Sequence, residues 1–127
     1  MKPTPDSSMK YQDFLKRYPT LGEAWDLIHE AEGEGPLDAG TIRLVKLAVA
    51  IGAHRKGAVQ SAVRKALLAG ISLEEMEQVV ALATSTVGMP SAVAVFTWIQ
   101  EVLAETRDAG SLPACLARRP DQRQDQG

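Results

Sequence analysis

Between Thr41 and Ala53 the chain runs TIRLVKLAVAIGA, a segment whose only charges are Arg43 and Lys46. The segment is too short to be a membrane span, which needs about 20 apolar residues. Helical periodicity puts apolar side chains nearly all round it, so it must be central to a fold or covered at a subunit interface. This constrains the rest of the chain, whose other segments have to pack around it. The next residues, Gly52-Ala53-His54-Arg55-Lys56-Gly57, make a basic junction. A second helical segment then runs to Ala69 with Ala58, Ala62, Ala66 and Ala69 on one face.

The neighbouring segments read as helices too. Ser8 to Arg17 places Tyr11, Phe14 and Leu15 on one side, and Pro19 closes it. Thr20 and Glu23 have the spacing of a capping box for a helix from Leu21 to about Glu32, with Leu21, Ala24, Trp25, Ile28 and Ala31 on its apolar face. Gly33 to Gly40 is a loop, and Asp38 is placed to cap the apolar helix. Gly70 suits a helix C-terminus, Ser72 and Glu75 form a second capping box, and Gly88-Met89-Pro90 separates that helix from a last one. Val93, Val95, Phe96, Trp98, Ile99, Val102 and Leu103 supply the last helix's apolar surface. No alternating strand pattern occurs. The expectation is an all-α domain of about six helices over residues 9–109, with a flexible segment 1–8 and a disordered tail 110–127 rich in Pro, Arg, Gln and Asp.

A net charge of -2 argues against a general nucleic-acid binder. A helix-turn-helix around Gly70 is disfavoured because the helix after it is acidic, with Glu74, Glu75 and Glu77, and phosphate would repel it. The N-terminal MKPTPDSSMK lacks the apolar run of a signal peptide, and no membrane partner is expected. The one cysteine, Cys115, leaves no internal disulfide and no CxxC pair, and a reducing, cytoplasmic setting is expected. No metal-ligand spacing, phosphate loop or cofactor motif is present, so neither metal nor cofactor is expected.

The stretch Ile42 to His54, followed by GAVQSAVRKALLAGISLEEMEQVVALATSTVGMPSAV, resembles the carboxymuconolactone decarboxylase-like family, which includes the AhpD-like alkylhydroperoxidases. The resemblance spans Asp38 to Leu103, and ALLAGISLEEMEQVV with the Gly-x-Pro pause is its most family-like portion. It implies an AhpD-like helical fold and assembly as a homotrimer or homohexamer. Peroxidase members carry Cys-x-x-Cys-x-x-x-His at the start of the second central helix and a glutamate on the first. In register with Gly70, those positions hold Arg55, Ala58, Ala62 and Arg43. Alanine neither attacks nor carries a proton, and guanidinium is no base near neutral pH. Thiol peroxidase chemistry is therefore not expected, and lactone decarboxylation, whose histidine also maps near Ala62, is unsupported.

The remaining chemistry is electrostatic. Between Gly40 and Leu73 the charges are Arg43, Lys46, Arg55, Lys56, Arg64 and Lys65, with no acid; between Leu21 and Asp38 every charge is acidic. The simpler account is that the acidic helix packs against the basic pair. The sharper one is a pocket between the central helices for a small anionic ligand. Arg43 and His54, three helical turns apart, would share a face, and Arg55 would lie at a helix N-terminus that attracts anions. His54 is the candidate acid–base group, although a histidine without an identified partner is more often structural. Gln60, Ser61 and Ser85 are further candidates for the lining. His29, with no second ligand at i+4, reads as structural, and Trp25 and Trp98 as core or interface. A structural or regulatory oligomer without chemistry is the alternative function.

Overall fold

The computed structural model describes residues 5–108, which form six α-helices. These are α1 (Pro5–Arg17), α2 (Pro19–Glu32), α3 (Ala39–Ala53), α4 (Lys56–Leu68), α5 (Leu73–Val87) and α6 (Met89–Asp108). No strand occurs among the described residues, in agreement with the all-α expectation. The expected tail 110–127, with Cys115, lies outside them, as does the start of segment 1–8. Helix α1 begins at Pro5, and proline suits a first turn whose N–H groups have no intrahelical partner.

Local signals account for most of the boundaries. Asp38 caps α3, its Oδ1 accepting from the Thr41 amide at 2.7 Å. Ser72 and Glu75 form a complete capping box on α5: the Glu75 amide donates to Ser72 Oγ at 3.1 Å and the Ser72 amide to Glu75 Oε1 at 3.0 Å. After α4, Gly70 adopts φ +83°, the Gly70 amide donates to the Leu67 carbonyl, and the Ile71 amide reaches back to that of Ala66. This Schellman closure needs a left-handed residue, which glycine supplies without strain. The box expected at Thr20 and Glu23 is not formed. Pro19 starts α2 two residues before the expected Leu21, Tyr18 becomes the N-cap without a side-chain bond, and Thr20 falls inside the first turn.

The core lies among α3, α4, α5 and α6. Helix α3 packs on α4 and α5, and α6 packs on the same two from the other side. Leu47, Ile51, Val59, Val63, Met76, Val95, Ile99 and Val102 are fully buried there. At 100° per residue, α3 divides into three sectors. Leu44, Leu47 and Ile51 face the core; Arg43, Lys46 and Ala53 lie to one side; Val45, Ala48 and Gly52 lie to the other. The helix is thus not covered all round: Val45 and Val49 stay exposed. A row of polar contacts joins α4 to α6 (Lys56 to Glu101 at 3.2 Å, Gln60 to the Trp98 carbonyl at 3.1 Å, Arg64 to Glu105 at 2.9 Å). Part of the basic charge expected to meet the acidic helix is therefore spent on α6.

Helix α2 contributes no buried residue. Its expected inward face, from Leu21 through Trp25 to Ala31, is solvent-exposed because α2 lies over the edge of the four-helix core rather than within it. It is tied to α3 by Glu32, whose Oε2 accepts from Lys46 Nζ at 2.6 Å. That hydrogen bond, helped by the positive charges of Lys46, His29 and Arg43, holds the Glu32 carboxyl below its ordinary range against a smaller opposing effect of burial. No helix among the described residues is long and apolar enough to cross a membrane.

This packing sets the cost of three substitutions. Ile51→Ala should destabilise the protein by about 2–5 kcal/mol, a value for removing a buried aliphatic side chain that denaturant unfolding would check. Ser72→Ala should cost about 1 kcal/mol by the same assay, the usual worth of an N-cap. Because the Glu32 carboxyl is depressed on folding, its contribution is complete above the ordinary glutamate range and is lost as pH falls through the lower folded value. Hydrogen exchange should therefore show α2 losing protection on acidification before the core does, and Lys46→Ala should abolish that acid step.

Candidate functional site

The cationic sector of α3 faces a half-open pocket. Together with one face of α4 and the near side of α2 it borders this cavity, of about 300 Å³, whose mouth is open to solvent beside Val49. Helix α3 supplies Arg43, Lys46, Val49, Ala50 and Ala53, and α4 supplies Ala58, Ser61, Ala62 and Lys65, spaced so that they share one side of that helix. Helix α2 contributes Trp25 and His29, whose rings meet edge to face at 5.0 Å. The volume is at the lower end for small-molecule sites.

The electrostatics are one-sided. Four cationic or basic side chains border the space, and no acid is among the lining residues. Lys46 is engaged by Glu32 at 2.6 Å. Arg43 and Lys65 make no salt bridge among the described residues, which leaves a planar guanidinium and a primary ammonium for an incoming anion. Ser61 adds a hydroxyl that can donate or accept. Trp25, Val49 and the alanines form the apolar part of the wall.

Of the three candidate ligand-binding residues, the structure places only Arg43 at this cavity. His54 does not share its face. It ends α3 as the C-cap with φ 53°, so its Cα leaves the helical path and its ring turns to Trp98, at a centroid distance of 5.0 Å. Arg55 is the N-cap of α4, is exposed, and is not part of the lining. Ser61 is in the wall, whereas Gln60 is turned to α6 and Ser85 is elsewhere. His29 and Trp25, read from the sequence as structural and as core, both border the cavity, and Trp25 is nearly half exposed. Sequence reasoning misses Lys46 and Lys65 as site residues. The spacing of Arg43 to Lys46 and of Ser61 to Lys65 is a visible signal, but only the placement of α2 beside both helices shows that they border one space.

Ala58 and Ala62 line the same cavity, and Arg43 borders it. Three of the four positions at which the resemblance placed reactive groups thus surround one space, while Arg55 is not among its lining residues. No group of three or more His, Cys, Asp or Glu side chains that could hold a metal exists among the described residues.

Comparison with curated proteins and with solved structures found no match. The carboxymuconolactone decarboxylase family matches residues 19–101, reaching back from α3 through the whole of α2. That span is well over half of the chain and includes every helix that lines the cavity, so the chain belongs to the carboxymuconolactone decarboxylase family.

Proposed function

We propose that the protein binds a small anion, a carboxylate with a compact apolar body, in the cavity beneath α2. The observation that carries this reading is the pair of cations, Arg43 and Lys65, that border a partly apolar, half-open cavity without a direct salt bridge among the described residues. A guanidinium offers two parallel N–H donors to a carboxylate, and such charge-assisted bonds are about twice as strong as neutral ones. Lys65 adds a second charge from the opposite helix and Ser61 a neutral hydrogen bond. Trp25, Val49 and Ala62 suit the uncharged remainder of the ligand. The alanines at 58 and 62 take away the family's reactive groups and leave room in their place. His54 and Arg55, outside the lining, have no part in this version of the site.

A second reading, an oligomer of the same fold without a ligand, is favoured by one observation: large apolar side chains such as Leu27, Val49 and Leu82 are about two-thirds exposed, more than a small soluble domain ordinarily leaves uncovered. Assembly as a homotrimer or homohexamer accords with that exposure, and it is compatible with ligand binding.

Thermal unfolding against a series of small carboxylates and their neutral amides separates the two. A carboxylate that fits should raise the melting temperature with concentration, as mass action requires, and its amide should not. Arg43→Ala should weaken the affinity by about ten- to a hundred-fold, the worth of a charge-assisted hydrogen bond of roughly 1.5–3 kcal/mol. His54→Ala and Arg55→Ala should change it by no more than about two-fold. A stabilisation that Arg43→Ala leaves intact would remove the site from this cavity. Peroxide turnover driven by a dithiol reductant should be absent from the unmodified protein, and turnover persisting in Cys115→Ser would contradict that expectation.

A further inference from the structure

On the side of α3 away from the cationic cavity, α3 and α5 form a second, open groove of about 540 Å³. Leu44, Val45 and Ala48 make one wall and Val79, Leu82 and Ala83 the other. Leu82 is 69% exposed and Val45 45%, so the groove is uncovered apolar surface. The same chain carries a helix with the matching face. Tyr11 and Phe14 on α1, with Tyr18 directly after it, recur at the i, i+3, i+7 spacing with which helices enter grooves, and each is about half exposed. Leu15 alone turns inward, lying against Gly22 of α2.

We propose that α1 of a second copy of this chain seats in the α3–α5 groove. The dimensions agree: the lining residues run from Thr41 to Gly52, about 17 Å of α3, and the thirteen residues of α1 span about 20 Å. The charges agree as well. Lys10 and Arg17 flank the aromatic stripe on one side, and the first turn of α5 at the groove's end carries Glu74 and Glu75. Arg17 pairs with Asp13 at 3.3 Å, both largely exposed, an ion pair weak enough to exchange. Helix α2 has a comparable apolar stripe, but Glu23, Asp26 and Glu30 border it and would meet Glu74 and Glu75 with like charge.

The occupant comes from another copy because the chain's own α1 is held elsewhere. Only Tyr18 separates α1 from α2, and the Glu32–Lys46 bond lies between α2 and the opposite sector of α3. Each copy thus offers one helix and one groove, so the contact is either exchanged between two copies or runs from copy to copy round a ring. It is independent of whether the cavity beneath α2 holds a ligand.

Cross-linking tests this directly. In a Cys115→Ser background, a tagged Phe14→Cys chain is co-expressed with an untagged Leu82→Cys chain, and Tyr11→Cys with Val45→Cys serves as a second pair. Circular dichroism confirms that each remains helical. Under mild oxidation the mixed disulfide should exceed either self-paired product several-fold on a non-reducing gel. Helical variants that give no mixed product in either pair would overturn the proposal, as would light scattering that finds the unmodified protein monomeric at micromolar concentration.

Discussion

Leu47 and Ile51 sit one turn apart on α3 and are completely buried, and their position decides what every other face of that helix can do. Once they point into the core, Arg43 and Lys46 must emerge on one flank and Val45 and Ala48 on the other. The cationic flank is bordered by α2 and α4, and the apolar flank lies beside α5. One helix therefore sets the core, the candidate ligand site and the uncovered groove. A residue can be moved from one role to another only by changing the helical phase, which would expose the core.

Helix α2 stands apart from this arrangement. It has no buried residue, yet it supplies one side of the cavity, and the ion pair between Glu32 and Lys46 ties it to α3. A short, partly exposed pair of this kind contributes little to global stability. It has more influence on whether Trp25 and His29 remain over Arg43 and Lys65. A wall held this weakly suits a site that must admit a ligand, because opening it exposes no core. An entering anion would also meet Lys46 already occupied by a carboxylate, so Arg43 and Lys65 are the groups left to receive it.

The features legible in the sequence are those set by neighbours along the chain. Asp38, Ser72 with Glu75, and Gly70 each end or begin a helix through contacts within a few residues, and the spacing of each identifies it. Thr20 fails because Pro19, one position earlier, starts a helix more firmly than a threonine side chain does. His54 fails for a similar reason: three helical turns align it with Arg43 only if the helix continues through it, and the helix stops there in a left-handed turn. Trp25, Lys46 and Lys65 are not legible as a site because they come from three helices, and nothing local specifies that α2 lies over α3 and α4. The resemblance locates Ala58 and Ala62 at a common space, while the chemistry around them emerges only from the packing.

The space beside Ala62 is, on this account, an anion site in place of a reactive one. Anomalous diffraction from crystals of the protein with para-bromobenzoate tests it most directly. The account predicts a bromine peak within the cavity beneath α2, near Trp25 and Ala62, with the carboxylate directed to Arg43 and Lys65. A bromine peak only outside that cavity, or a carboxylate turned away from both cations, would contradict it.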